Sequence, residues 1–157
     1  MSNPELDNAF KDLQGRIGEE FAPSEWYEVT QETINKFADA IMDHQWIHVD
    51  EERSKNGPYG KTIAHGQLTL SMMNHLPQGE ASKPPPMEGQ KMGINYGFNK
   101  VRFPLPVPVG SHVRSKRTLK SVEIKGSMIE AMYEMVMEVK GEKKPACVAE
   151  SLTRLVF

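Results

Sequence analysis

The sequence predicts an α+β protein whose helices lie together on one face of a curled antiparallel sheet. One strand-like run and several helical periodicities occupy the first half of the chain, up to Leu76, and strand-like runs fill the second half from Met92 onward. Segregated helices and strands in this order are typical of α+β folds. A length of 157 residues is ordinary for one domain. We therefore expect a single domain over residues 1–157, in which residues 1–18 form an N-terminal helical extension.

Composition and charge narrow the function classes. The formal net charge is −2, so the chain has no bulk attraction for nucleic acid or for an anionic membrane. No window reaches the roughly 18 apolar residues of a membrane span, and the N-terminus has no apolar core of a leader peptide. The single cysteine, Cys147, has no internal disulfide partner, and we expect it to be buried packing. We predict a cytoplasmic protein.

Two helices and one strand are predicted before residue 44. Leu6, Phe10 and Leu13 are spaced as one face of a short helix over residues 5–14. Residues 19–30 are rich in aromatic residues and predict a first strand, with Pro23 confining its start to an edge or bulge. Thr30 stands where a helix cap belongs, and the next helix ends at Asp43; its predicted buried face comprises Ile34, Phe37, Ala38 and Ile41.

A buried central helix and several strands follow. From Ile63 to Leu76 apolar residues occur around most of a helical circumference, so we expect a long helix at the centre of the fold. Residues 77–89 contain four prolines and no periodicity, which predicts an exposed connection. Strands are expected near residues 94–103, 113–124, 127–140 and 146–157, with a tight hairpin at Gly126. From Ile129 to Val139 apolar residues alternate with glutamates, as in a strand with one wet face.

Asp43 and His48 are the first candidates for chemistry. A carboxylate at a helix end and an imidazole five residues later can together hold and polarise one water molecule. The alternative is that Asp43 faces solvent and His48 merely stabilises a turn. Gly66, which opens the central helix, offers an unobstructed N–H for an oxyanion or a polarised carbonyl. Equally, Gly66 could serve only to allow close packing of that helix against the sheet. Together, a base near water and an oxyanion donor suit chemistry next to a carbonyl.

The segment FADAIMDHQWIHVDEERSKNGPYGKTIAHGQL, with NYGFNKVRFPLPVPVGSHV, resembles the MaoC-like, (R)-specific enoyl-CoA hydratase family of hot-dog folds. The resemblance is greatest to its nodulation-protein-N-like branch and spans about residues 30–114. Three positions depart from the family motif: Met42 replaces a glycine, Gln45 an asparagine and Trp46 a proline. The matching positions are Phe37, Asp43, Ile47, His48 and Ser54.

The resemblance implies a hot-dog fold, an antiparallel sheet wrapped around a long central helix, and a homodimer. It implies that Asp43 and His48 hold the water that adds to a trans-2-enoyl thioester, giving an (R)-3-hydroxyacyl thioester. The Gly66 N–H would then polarise the thioester carbonyl, with Asn74 in a supporting place. Either coenzyme A or acyl carrier protein can be the carrier, and no cofactor is implied.

Other polar residues complete the set of candidates. Gln45 can hydrogen-bond as an amide near the pair, and His65, before the glycine, is either a substrate-side group or a structural histidine. We expect no metal site, since no zinc-binding pattern occurs. Basic residues that could contact coenzyme A phosphates, or equally form a solvated face, are Lys100, Arg102, Arg114, Lys116 and Arg117.

Two rival functions remain open on the sequence. A hot-dog acyl-CoA thioesterase would share the fold and ligand but direct water at the thioester carbonyl. The other rival is a catalytically silent acyl-thioester-binding protein, since the sequence departs from the family motif at three positions around Asp43. The spacing of Asp43 and His48 ahead of Gly66 favours the hydratase, and acyl-thioester hydration is the function we expect.

Overall fold

The computed structural model describes residues 3–79 and 87–157. Five helices precede most of the sheet: α1 (Pro4–Gly15), α2 (Gln31–Ile41), α3 (Trp46–Val49), α4 (Glu51–Lys55) and α5 (Gly66–Met72). The strands are β1 (Tyr27–Glu28), β2 (Met92–Arg102), β3 (His112–Lys125), β4 (Met128–Val139) and β5 (Cys147–Val156). The expected α+β class is confirmed, with one early strand, then helices, then a run of antiparallel strands.

The five strands form one antiparallel sheet in the order β1-β3-β4-β5-β2. The hairpin between β3 and β4 turns at Gly126, whose φ of 63° suits a residue without a side chain. On β4 the predicted alternation is confirmed, since Ile129, Ala131, Met135, Met137 and Val139 are buried. This leaves β2 as an edge strand of the sheet.

Helix α1 confirms the predicted N-terminal helix. Asn3 caps it by accepting hydrogen bonds from the backbone N–H groups of Glu5 and Leu6. The hydrophobic core of the protein has two clusters of buried residues. The apolar face of α1 supplies Leu6, Ala9 and Leu13 to one of them, the second core cluster, which also contains sheet residues such as Leu119 and Ile129. The extension is therefore packed against β3 and β4.

Helix α5 lies over the sheet but is shorter than predicted. It covers seven residues, Gly66–Met72, and the chain continues in turns to Leu76, whose N–H bonds to the Met72 carbonyl. Met73 and Leu76 are buried all the same. Their spacing misled the prediction because these two side chains are buried without the helix continuing to them. The first core cluster joins Leu68, Met73 and Leu76 to β3, β4 and β5.

The predicted first strand, residues 19–30, shrinks to Tyr27–Glu28 and an isolated bridge between Glu20 and Thr118. Gly18, Phe21 and Ser24 donate N–H groups to the carbonyls of Leu119, Arg117 and Ser115. Successive donors are three residues apart on this segment, whereas their acceptors are two residues apart on β3. A regular ladder cannot form with this mismatch. The segment follows the sheet edge as an irregular extended chain.

Three further predictions concern burial, the Pro-rich stretch and membrane spans. Cys147 is fully buried, as predicted, and burial raises the pKa of its thiol to about 11. The predicted connection of residues 77–89 lies outside the described residues for its central part, 80–86. Within the described ranges, the helices are too short or too polar to cross a bilayer.

Candidate active site

Asp43 lies just after α2, in a turn that the backbone forces at Met42. Met42 adopts the left-handed conformation, with φ 61° and ψ 29°, and its N–H bonds to the Ala38 carbonyl. One carboxylate oxygen of Asp43, Oδ1, accepts the Gln45 N–H at 3.2 Å. The carboxylate is thereby held at one oxygen, which leaves Oδ2 for another partner.

His48 is buried in α3 and is fixed from two sides. Its Nδ1–H donates to the Ile63 carbonyl at 2.7 Å, so the neutral ring carries its lone pair on Nε2. The Gln31 side chain on α2 donates to the His48 carbonyl at 2.8 Å and accepts from the Thr62 hydroxyl at 2.5 Å. Two other segments, α2 and residues 62–63, thus set the position of this imidazole.

His65 joins Asp43 and His48 from the residue preceding α5. Its Nε2–H donates to the Asp43 carbonyl at 3.0 Å, and the same nitrogen lies 3.9 Å from Asp43 Oδ2. Its ring stacks on that of His48, with centroids 3.8 Å apart and planes at 22°, and meets Phe37 edge-on. His65 is 2% exposed, and its Nδ1 has no hydrogen-bond partner within the described ranges.

Asp43, His48 and His65 each bring one ligand-type atom within 4.8 Å of the others. The sequence shows no zinc-binding pattern, so this cluster was not predicted from it. An ion bound by two imidazoles must lie near both ring planes, at about 2.0–2.1 Å from each nitrogen for zinc. The stacked rings face each other instead, so one ring would have to turn before both could bind one ion. The arrangement suits proton transfer better than metal binding.

Burial sets the protonation preference of His48. Removal from water lowers the pKa of this imidazole, and nearby His65 lowers it further. The hydrogen bond to Ile63 and the charge of Asp43 act in the opposite sense, but the net shift is downward. His48 is therefore neutral at pH 7 and can act as a base.

A cavity of about 270 Å³ opens beside His48 and Gly66. No acceptor among the described residues takes the Gly66 N–H. The rest of the lining is largely apolar and comes from the loop before α5, from α5, from the residue before β5, and from residues 103–109 after β2, which we call the Pro-rich segment. Its remaining members are Tyr59, Ile63, Ala64, Thr69, Phe103, Leu105, Pro106, Val107 and Ala146.

The predicted site residues are only partly brought together. His48 and Gly66 share the cavity, and Asp43 and His65 adjoin His48 outside its lining. Gln45 contributes its backbone N–H to Asp43, while the residue as a whole is exposed. Asn74 lies beyond the far end of α5, where its amide donates to the Ser151 hydroxyl at 3.4 Å, and it does not line this cavity.

Most candidate contacts for coenzyme A phosphates are engaged elsewhere. Arg114 and Lys116 both pair with Glu138, at 2.6 and 3.7 Å. Arg117 packs over the rings of Phe21 and Tyr133. Lys100 pairs with Glu150, and exposed Arg102 donates to its neighbouring carbonyl. These contacts favour structural roles for Arg114, Lys116 and Arg117.

Sequence reasoning missed Gln31, Thr62 and Phe103. Gln31 and Thr62 meet across 31 positions of the chain, and a single polar residue at a helix start carries no signal of such a contact. Phe103 was counted only as the end of a strand, although its ring covers Gly66. The aromatic residue before a proline-rich run was its sole sequence signal.

Comparison with known proteins identifies the family. Residues 12–140 match the family described as MaoC like domain, and the chain belongs to this family. It is 50% identical to the 3-hydroxyacyl-thioester dehydratase Z of Mycobacterium tuberculosis over 146 residues, covering 92% of this chain and 94% of that protein. It is 44% identical to nodulation protein N of Rhizobium leguminosarum bv. viciae, covering 93% and 90%. The resemblance seen in the sequence is confirmed.

Solved structures agree on the fold. The (R)-hydratase from A. caviae involved in PHA biosynthesis superposes with a TM-score of 0.68 at 20% identity, covering 87% of this chain and 94% of that one. A protein of Archaeoglobus described as a monoamine oxidase regulatory protein gives 0.69 at 22%, covering 89% of each chain. These similarities establish the hot-dog fold.

Proposed function

We propose that this enzyme reversibly adds water to a trans-2-enoyl thioester to give the (R)-3-hydroxyacyl thioester. The observation that carries the proposal is the cluster of Asp43 and His48, within 4.8 Å, beside a cavity that His48 shares with Gly66. The 50% identical relative, named as a 3-hydroxyacyl-thioester dehydratase, supports the same reaction in the reverse direction.

One water molecule fits between the two groups. Two hydrogen bonds of about 2.8 Å let a bridging water span up to about 5.5 Å, and one ligand-type atom of Asp43 lies within 4.8 Å of one of His48. The neutral His48 ring presents Nε2 as an acceptor, and Asp43 Oδ2 is the carboxylate oxygen that Gln45 leaves unbound. Either group can take a proton as the water oxygen bonds to C3 of the substrate.

Gly66 supplies the complementary charge stabilisation. As the C3–O bond forms, the electrons of the C2–C3 double bond move toward the thioester carbonyl oxygen, and the Gly66 N–H stabilises the negative charge there. The proton taken from water then returns to C2, which completes the addition. Loss of one such donor typically costs about 3–4 kcal/mol of barrier.

The reaction is tested by following the conjugated enoyl-thioester absorbance with crotonyl-CoA and a medium-chain enoyl-CoA, with chiral analysis of the product. We expect the (R) product from the wild type and a loss of about 10²–10⁴-fold in Asp43→Asn and His48→Gln. Asp39→Asn, on the exposed end of α2, is the matched control.

Three results would contradict this proposal. Release of free thiol without loss of the double bond would indicate a thioesterase. Binding of acyl thioesters without turnover would indicate a silent binder. Unchanged rates in both the Asp43 and His48 variants would exclude the pair as the site of water activation.

We propose that Gln45 and Asn74 act at a distance from the reacting atoms. Gln45 supports the Asp43 turn, and Asn74 supports the far end of α5 through Ser151. For His65, its burial favours contact with the catalytic pair over contact with substrate. Gln45→Ala and Asn74→Ala should accordingly change kcat/KM less than tenfold.

We also propose a homodimer joined along β2. This edge strand carries four exposed apolar residues, Met92, Ile94, Tyr96 and Phe98, and Tyr96 lies in a bulge of the strand. An uncovered apolar edge of this kind invites pairing or aggregation. Light scattering after gel filtration should give a dimer mass and, for Tyr96→Glu, a monomer. A monomeric wild type would instead favour a heteromeric partner or no assembly.

The remaining proposals concern domain organisation and location. Packing of Leu6 and Leu13 against the sheet supports one domain over residues 1–157, with 1–18 as its N-terminal extension. Acyl thioesters as substrates support a cytoplasmic location, which subcellular fractionation would check. Limited proteolysis should yield no stable fragment that begins after residue 18.

A further inference from the structure

Gly66 is held against an aromatic ring. A Cβ atom built on Gly66 would meet Cγ, Cδ1 and Cδ2 of Phe103 at 3.0–3.1 Å, tighter than side chains ordinarily pack. The backbone of Gly66 does not need glycine, since its φ is not among the positive values of the chain. The ring of Phe103 is therefore what disfavours a side chain at position 66.

The segment that carries Phe103 is anchored to the loop before α5. The Ala64 N–H donates to the Val107 carbonyl at 2.8 Å, and Ile63 bridges to Pro108. Leu105 and Val107 pack on the first core cluster, and the alternating prolines restrict the backbone between them. Phe103 is 45% exposed, and the chain four residues beyond it is hydrogen-bonded to the loop that presents Gly66.

Phe103 and the Gly66 N–H act on the same small volume. A carbonyl oxygen bound by that N–H lies about 2.9 Å from the Gly66 nitrogen. C2 of the substrate, two bonds further on, then lies within roughly 5 Å of the same nitrogen. The ring already occupies the space next to the Gly66 Cα, and the whole cavity is only about 270 Å³. A substituent on C2 would compete with the ring for this space.

We propose that Phe103 is a specificity-determining residue, whose ring narrows the pocket beside the thioester carbonyl and restricts substrates to acyl chains unbranched at C2. The proposal rests on the proposed function and names its substrate class. One extra methyl group in an apolar pocket changes kcat/KM by about 10–200-fold. Straight-chain enoyl thioesters are therefore preferred over 2-methyl-branched ones.

The test compares crotonyl-CoA with tiglyl-CoA, its 2-methyl derivative, in wild type, Phe103→Leu and Phe103→Ala. We expect the wild type to favour crotonyl-CoA by at least tenfold in kcat/KM beyond the difference in their uncatalysed hydration rates. That preference should shrink about tenfold in Phe103→Ala and less in Phe103→Leu. Phe10→Leu, in the second core cluster, is the matched control and should keep the wild-type ratio. An unchanged ratio in both folded Phe103 variants would overturn the proposal.

A second experiment uses position 66 itself. Gly66→Ala should lower kcat/KM for crotonyl-CoA about tenfold or more, and Gly66→Ala with Phe103→Leu should recover most of that loss. Thermal unfolding of the wild type, the two single variants and the double variant separates the pocket effect from a folding defect. If the double variant is no more active than Gly66→Ala at comparable stability, the ring is not the obstacle.

Binding distinguishes failure of this proposal from failure of the proposed reaction. If the wild type hydrates neither substrate, calorimetric titration compares the binding of butyryl-CoA with that of its 2-methyl derivative, 2-methylbutyryl-CoA, in the wild type and the same Phe103 variants. A preference for butyryl-CoA that shrinks in Phe103→Ala upholds the pocket role without the reaction. Equal affinities overturn it, and no binding of either ligand overturns both proposals.

Discussion

The segment from Met42 to Gly66 and the sheet from β3 to β5 are built by different means. The sheet is stabilised by a regular backbone ladder and by alternate apolar side chains such as Met135 and Met137. In the segment, single hydrogen bonds link side chains to backbone carbonyls, as from His48 to Ile63 and from His65 to Asp43. We infer that the sheet sets stability and the segment sets reactivity, so that substitutions in each should affect mainly one property.

The largest expected effect tests the sheet. Met137→Ala removes a fully buried side chain from β4 and should lower the free energy of unfolding by about 2–5 kcal/mol. Because the Met137 side chain does not line the cavity, and its hydrogen bond to the lining residue Ala146 is made through the backbone, kcat of the folded fraction should change less than about twofold. Chemical denaturation and initial rates on the same preparation measure both, with exposed Met92→Ala as the control. A parallel loss of kcat would break the division between the regions.

His65 tests the opposite case. His65→Phe keeps a ring against His48 but loses the donor to Asp43, whereas His65→Gln keeps a donor but loses the stacked ring. An unsatisfied buried partner costs about 1–3 kcal/mol, so kcat should fall about 10–100-fold in the Phe variant. KM should change little, because His65 does not line the cavity. Recovery in His65→Gln would identify the hydrogen bond as the essential contact, and a KM effect alone would contradict the positioning role.

The pH dependence of both properties sharpens the comparison. Because burial lowers the pKa of His48 in the folded protein, the unfolded chain binds the proton more readily between that value and about 6.5. The contribution of neutral His48 to stability is therefore full above about pH 6.5 and is lost as the pH falls through the folded pKa. The acid limb of kcat/KM should also lie below pH 6.5. His48→Gln should remove this stability change, and an acid limb above pH 7 would contradict the predicted direction.

The smallest expected effect concerns Met42. Its side chain is 84% exposed in a left-handed conformation that costs a non-glycine residue about 1–2 kcal/mol. Met42→Gly, which restores the family residue, should raise the free energy of unfolding by about 0.5–1 kcal/mol after the entropy loss of glycine. Met42→Ala should give no such gain. Thermal unfolding checks both, and a lower midpoint for the glycine variant would show that the Met42 side chain contributes contacts of its own.

The fold was largely predictable because its signals are local. Thr30 as a cap, the alternation from Ile129 to Val139 and the turn at Gly126 each depend on a few neighbouring residues. The errors arose where tertiary contact replaced local rules. Residues 19–30 run beside β3 out of step with it, and Met73 and Leu76 are buried without being helical.

The sequence by itself determined the α+β class, the family resemblance, and Asp43, His48 and Gly66 as candidates, because a short motif preserves residue types at fixed spacing. Only the tertiary structure decided that His65 stacks on His48, that Gln31 reaches the His48 carbonyl, and that Phe103 covers Gly66. These contacts join residues 17 to 37 positions apart. Their partners are selected by the packing of α2, α3 and the Pro-rich segment around one loop, and no local pattern in the chain records that packing.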